Sequence, residues 1–181
     1  MQLLTRTLVA LSIAASTFGA ILKRDVPTIL ADISDISTQV TTLDNAINAF
    51  PDSGGSLTSA LAIHNDAVAL LDSVNTATDD TTANGAFSEA DGQSILDAVA
   101  AIEPTILDAL SAIAEKQPAF AALPIGGIPA LVLQDLQNLD AATTAFSNAL
   151  IDNAPADLVA QATDIQTTIG DAFDTAIAAY S

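Results

Sequence analysis

The sequence is poor in positive charge, with 4 lysine and arginine residues against 22 aspartate and glutamate residues. Arg6, Lys23 and Arg24 all lie within the first 24 residues, so Lys116 is the only lysine or arginine in the rest of the chain. Nucleic-acid binding draws its affinity from cations that neutralise phosphates. Anionic membrane surfaces repel an acidic chain for the same reason. We therefore expect this chain to bind neither nucleic acid nor anionic membranes.

Cysteine and tryptophan are absent, and histidine occurs once, as His64. The lack of cysteine excludes thiol catalysis, thiolate metal sites and redox switching. A single imidazole forms no metal cluster, and no Gly-x-Ser-x-Gly nucleophile elbow accompanies it. Aromatic residues make up only 4% of the chain, which argues against a glycosidase cleft with aromatic platforms. We therefore expect no enzyme activity, no bound metal and no cofactor.

The N-terminal residues have the pattern of a secretory signal. Arg6 precedes an apolar run at residues 8–15, and small residues follow at positions 16, 17, 19 and 20. The run is shorter than the ~20 residues that a membrane-spanning helix needs. Lys23 and Arg24 resemble a dibasic processing site. We predict a signal peptide at 1–20, a pro-segment at 21–24 and one domain at 25–181, secreted and with no transmembrane segment.

Large apolar residues recur with alternating spacings of four and three over residues 29–50. This rhythm predicts one long amphipathic helix. Pro27 suits its first turn, and Pro51 followed by Gly54 ends it. The apolar stripe consists of Ile29, Ile33, Ile36, Val40, Leu43, Ile47 and Phe50.

A second helix is predicted over residues 57–74, with His64 on its main apolar line. Residues 75–86 are rich in Thr, Asp and Asn and are predicted to form a polar connector. The same stretch partly matches a calcium-loop template, but the usual second carboxylate and the bidentate glutamate are missing. The connector is the favoured interpretation. The template positions are held by Asp80, Thr82, Asn84, Gly85, Ala86, Ser88 and Asp91.

The third helix is predicted to start at Ser88, which forms a capping box with Asp91. Its apolar rhythm continues across Pro104, which favours one kinked helix over two separate helices. Lys116 falls in its last turn, where a cation meets the negative end of the helix dipole.

A proline- and glycine-rich corner follows at residues 118–129, predicted to contain one helical turn. Two more helices are predicted at 129–150 and 155–180. No stretch shows sustained alternation of period two. The predicted fold is an all-α bundle of four to five long amphipathic helices.

The apolar stripes predict either a fully packed core or a bundle with a central cavity. Few aromatic side chains are available to fill the middle, and a kink at Pro104 would separate one helix from its neighbours. Alanines could equally let the helices close together. A void lined by aliphatic groups would accept an apolar ligand. The candidate lining residues are Ile36, Val40, Leu43, Leu61, Leu71, Val99, Ile102, Ile106, Leu136, Leu139, Phe146, Ile165 and Ile169.

Several segments together resemble one family. They are the leader ending in Lys23 and Arg24, the first helix RDVPTILADISDISTQVTTLDNAINAF, the proline-containing helix SILDAVAAIEPTILDALSAIAEKQPAF, and the ending AFDTAIAAYS. This pattern resembles the fungal hydrophobic surface binding protein A family, which includes the cell-wall galactomannoproteins known as antigenic mannoproteins. The resemblance covers residues 25–181 and is a match of helices, with no catalytic signature.

The resemblance implies a secreted, non-catalytic helical protein that adsorbs to hydrophobic surfaces and recruits a secreted esterase or cutinase to them. It also implies fatty acids or similar lipids as ligands of a central cavity. The alternative is a structural or antigenic wall component with no ligand. Lys116 is the single fixed cation beyond residue 24, so a bound head group must rely on neutral donors, on protonated His64 or on water.

Overall fold

The computed structural model describes residues 25–181, and every regular element in this part of the chain is an α-helix. The predicted all-α bundle is confirmed, with five long helices and one short helix at the predicted corner. The leader and the dibasic pair lie outside the described residues. The helices are α1 (Val26–Ala49), α2 (Leu57–Asn84), α3 (Glu89–Glu115), α4 (Gln117–Ala121), α5 (Ile128–Asn153) and α6 (Val159–Tyr180).

The five long helices form a closed ring. Helix α1 packs between α2 and α3, α2 packs on α5, α5 packs on α6, and α6 returns to α3. The short α4 packs against α5 and α3. In such a ring each amphipathic helix turns its apolar stripe to the centre and most of its charged side chains to water.

The apolar stripe predicted for helix α1 is buried along its whole length, from Ile29 to Phe50. Its start is capped by Asp25, whose side chain accepts a hydrogen bond of 3.2 Å from the backbone N–H of Thr28. Such a cap satisfies one of the backbone donors that a helix start leaves free.

The predicted connector at residues 75–86 is wrong, because α2 continues to Asn84. The buried face of this second half of α2 carries small and polar residues. Ala77 and Thr81 are fully buried, and Asn84 is almost fully buried. The hydroxyls of Thr76, Thr78 and Thr82 donate to carbonyls one turn earlier, as Thr78 does to Val74 at 2.8 Å, so they do not compete with the helix. The connector proper begins at Gly85, whose φ of 76° only glycine adopts at little cost.

The calcium-loop interpretation is also wrong. Asp80, Thr82 and Asn84 lie on a helix, where consecutive template ligands point in different directions and cannot surround one ion. Within residues 25–181 no cluster of three or more His, Cys, Asp or Glu side chains could hold a metal ion.

Helix α3 starts as predicted, with Ser88 accepting a hydrogen bond of 3.3 Å from the N–H of Asp91 and donating one of 2.7 Å to its carboxylate. Pro104 lies inside a continuous helix, as predicted. Lys116 is the C-cap residue, and its Nζ also donates to Oδ1 of Asp52 at 2.6 Å. Since Asp52 is 91% exposed, this ion pair contributes little stability.

The last two long helices differ from their predicted bounds only at the ends. Helix α5 runs from Ile128 to Asn153, and α6 begins at Val159 because the residues after Pro155 form a turn closed by a 3.0 Å hydrogen bond from Leu158 N–H to Pro155 O. Among the described helices, none combines the length and apolarity that crossing a bilayer requires.

Candidate ligand-binding cavity

The ring of helices surrounds a partly open cavity of about 120 Å³. A single buried water needs only about 10–15 Å³ on the same measure, so the space is large enough for a chain of ligand atoms. All five long helices contribute to its wall.

The wall of this central cavity is almost entirely apolar. Of the 26 residues that line it, only His64, Asp135, Thr143 and Ser147 are polar or titratable. Two alanines also line the cavity, Ala67 of α2 and Ala109 of α3. Small side chains at these positions leave the middle of the ring unfilled.

Ten of the thirteen predicted lining residues meet at the cavity. They come from four different helices, with Ile169 as the single representative of α6. The ten residues are Ile36, Val40, Leu43, Val99, Ile102, Ile106, Leu136, Leu139, Phe146 and Ile169.

The other three lie elsewhere. Leu61 is 40% exposed on the outer face of α2, and Leu71 is half-buried against the core but outside the cavity wall. Ile165 lines a second, smaller pocket of about 40 Å³ between α3, α5 and α6. The line of Leu61 and Leu71 was predicted from the sequence to lie in the wall. The buried apolar line of α2 consists of Ala60, Ile63, Ala67, Leu70, Val74 and Ala77.

The two pockets share part of their walls. Val99, Ser147 and Leu150 line both the central cavity and the smaller pocket. The smaller pocket therefore lies directly beside the central cavity, on the side of α6.

A polar pair interrupts the apolar wall where α2 meets α5. Nδ1 of His64 lies 2.8 Å from Oδ2 of Asp135, and the two side chains are 27% and 13% exposed. Burial raises the pKa of Asp135, while its hydrogen bond to His64 acts in the opposite direction. The sequence pattern placed His64 on the main apolar line of the second helix but did not identify Asp135, because nothing in the sequence distinguishes one carboxylate among 22 acidic residues.

Residues 26–152 of the chain match the family model of hydrophobic surface binding protein A. The chain belongs to this family. The match covers α1 to α5 and ends before α6, the helix that closes the ring and adds Ile169 and Phe173 to the cavity wall. No curated protein sequence matches the chain.

Solved structures extend the likeness of this family member to the whole ring. Afmp4p in complex with palmitic acid aligns with a TM-score of 0.80 and 36% identity, over 87% of this chain and 100% of that one. Ligand binding domain 1 of Penicillium marneffei MP1 protein, complexed with arachidonic acids, aligns with a TM-score of 0.77 and 19% identity, over 88% and 99% of the two chains. Ligand binding domain 2 of the same protein, complexed with multiple arachidonic acids, aligns at 0.77 and 18% identity, over 88% and 98%. The two MP1 domains show that the fold is shared.

Proposed function

We propose that this member of the family binds a fatty acid or a similar single-chain lipid in its central cavity and performs no catalysis. The observation that carries the proposal is the closed ring of five helices around an aliphatic void of about 120 Å³. An aliphatic cavity of this kind favours the alkyl part of a ligand, because water finds few hydrogen-bonding partners there.

The likeness to Afmp4p supports the same ligand class. That protein is 36% identical over its entire length and was solved with palmitic acid. The wall of the cavity is built mainly from branched aliphatic side chains, which suit an alkyl chain better than a flat aromatic ligand.

The family description supports a second activity, adsorption to hydrophobic surfaces. The outer face of the described chain carries three exposed large apolar groups, Leu61 and Val68 on α2 and Ile125 in the loop before α5. The two α2 residues lie seven positions apart and therefore on the same side of the helix. Such groups offer contact points for a wax or polymer surface without opening the ring. Secretion and the recruitment of an esterase or cutinase remain predictions.

A fluorescent fatty-acid displacement titration tests the cavity. We expect saturable binding of one long-chain probe and its displacement by unlabelled palmitate. Absence of saturable binding would remove the cavity function and leave surface adsorption, or the alternative of a structural wall component with no ligand. An equally long probe carrying a charged group at both ends is the control, since a second charge cannot enter an aliphatic cavity without a large desolvation cost.

A further inference from the structure

Four polar side chains interrupt the aliphatic wall, and only two of them are titratable. His64 and Asp135 stand 71 positions apart in the chain and meet across the seam between α2 and α5. Thr143 and Ser147 lie further along α5. A ligand with one polar end must place that end against the His64–Asp135 pair, against the hydroxyls of Thr143 and Ser147, or in water.

The geometry of the pair leaves one ring nitrogen available. Nδ1 of His64 is engaged with Oδ2 of Asp135 at 2.8 Å, so Nε2 is the nitrogen that remains for a ligand. Both side chains line the cavity and both retain some exposure. The pair therefore lies where an alkyl chain could extend inward while its head group stays near the rim.

Few charged side chains face His64. Asp135 faces it from α5. On α1, Gln39 donates to Ser73 of α2 at 2.6 Å, and this antiparallel register places His64 near residue 48. The nearest α1 carboxylate along that register, Asp44, accepts a hydrogen bond of 2.8 Å from Nδ2 of Asn48, and the charge of Asp108 on α3 helps to raise its pKa.

On its own helix, Asp66 follows His64 by two positions and is only half-buried. Residues two apart on a helix do not share a face, so Asp66 is directed away from the pair. Lys116, the only lysine or arginine in the described chain, is bonded to Asp52 instead. His64 is thus the one group on the cavity wall that can supply a positive charge.

We propose that His64, held by Asp135, is the head-group site of the cavity and makes it select carboxylic acids over alcohols of the same chain length. This rests on the proposed function. Asp135 accepts the hydrogen on Nδ1, and a single proton lies between Nε2 and the ligand carboxyl. An imidazolium donates that proton to a carboxylate, or a protonated acid donates it to the neutral ring. The complex with the acid therefore holds one proton more than a neutral ring and a free carboxylate do, so acid binding at alkaline pH takes up one proton, whereas alcohol binding takes up none.

The test compares palmitic acid with hexadecanol by calorimetric titration from pH 5 to 8, in buffers of different ionisation enthalpy. For the unaltered protein we expect proton uptake with the acid only, and an acid affinity that falls by up to about tenfold per pH unit at the alkaline end. His64→Gln keeps a hydrogen-bonding side chain but cannot titrate. It should lose the proton uptake and at least about tenfold of the acid affinity at pH 6, with hexadecanol affinity within about twofold.

Thr143→Val and Ser147→Ala are the matched variants, because they remove the other polar groups of the wall. If these variants lose the preference for the acid while His64→Gln keeps it, the head group lies at the hydroxyls and the proposal is overturned. Unchanged proton uptake in His64→Gln overturns it as well. A protein that binds neither palmitic acid nor hexadecanol would remove the proposed function itself. Should His64→Gln fail to fold, Asp135→Asn carries the same test, with proton uptake expected to shift to lower pH.

Discussion

The ring of Phe50 stacks on the ring of Phe120, with centroids 4.3 Å apart and planes 15° from parallel. This contact joins the end of α1 to the short helix α4 and closes one end of the bundle. Both side chains are almost fully buried. Gly55 leaves room for the stack, since a Cβ at that position would lie 2.5 Å from Cζ of Phe50.

Phe120→Ala should remove this end closure. We expect a loss of about 3–5 kcal/mol in the free energy of unfolding, because the substitution deletes a buried aromatic side chain and leaves a cavity. Urea denaturation followed by circular dichroism measures the change. Ile125→Ala, in the exposed loop after α4, is the control and should stay within about 0.5 kcal/mol of the unaltered protein. Equal effects of the two substitutions would contradict a closure built on Phe120.

Tyr180→Phe tests how the last helix is held to the ring. The hydroxyl of Tyr180 donates to the carbonyl of Ile113 at 2.7 Å, in the last turn of α3, and burial raises the pKa of this phenol. Removing the donor leaves a buried carbonyl without that partner and should cost about 1–1.5 kcal/mol of unfolding free energy. In the Tyr180→Phe variant, amide hydrogen exchange should show that α6 opens faster than α1. A variant as stable as the parent would mean that water replaces the hydroxyl without cost.

Ala67→Leu should partly fill the cavity from the α2 side. We expect at least about tenfold weaker palmitate binding, with stability unchanged or raised, because new apolar contacts form in an existing void. Ala69→Leu adds the same atoms to the exposed face of α2 and should leave binding unchanged. Displacement titration and thermal melts give the two readouts. If both variants bind alike, the ligand does not occupy the space beside Ala67.

Facing carboxylates make stability depend on pH. Burial raises the pKa of Asp44, and the charge of Asp108 raises it further. The pKa of Asp140 is raised by burial and then by Asp174. Groups with a raised pKa in the folded state bind protons more tightly when folded, so their contribution is present below the reference value of 3.8 and lost as pH rises through the folded pKa. The urea midpoint should therefore be higher at pH 4.5 than at pH 7.5.

Asp108→Asn isolates the pair between α1 and α3. It should raise the free energy of unfolding at pH 7.5 by about 0.5 kcal/mol and reduce the pH dependence, since one of two like charges is removed. Asp79→Asn, at an exposed position of α2, lowers the net charge equally and serves as the control. If the control flattens the pH profile as much, total charge decides the effect and the pair does not.

Adsorption to an apolar solid should also be strongest in acid. At neutral pH, repulsion between densely packed acidic molecules limits coverage, and it fades as carboxylates protonate toward the sequence pI of about 4.1. Binding isotherms on polystyrene should show maximal coverage near that pH. Coverage that is flat between pH 4 and 8 would contradict an electrostatic limit. Leu61→Ser tests whether the exposed face of α2 takes part, and should lower coverage without changing palmitate binding.

The periodic pattern of large residues predicted α1 closely, because Ile29 and its successors are both bulky and regularly spaced. The same reasoning failed in the second half of α2. There the inner line consists of Ala77, Thr81 and Asn84, whose small or polar side chains resemble those of a loop. Burial of these residues comes from the neighbouring helices, and no local pattern reports it.

The sequence by itself determined an acidic, all-helical chain with five amphipathic stripes, since backbone periodicity and charge are local properties. Only the tertiary structure decided that α5 lies between α2 and α6, and that the ring stays open in the middle. An apolar stripe in the sequence indicates that one face of a helix is buried, but it does not identify the helix that covers this face. The volume of a void depends on the combined sizes and positions of side chains from five helices. The meeting of His64 with Asp135 belongs to this second kind of information, because it follows from which two helices become neighbours.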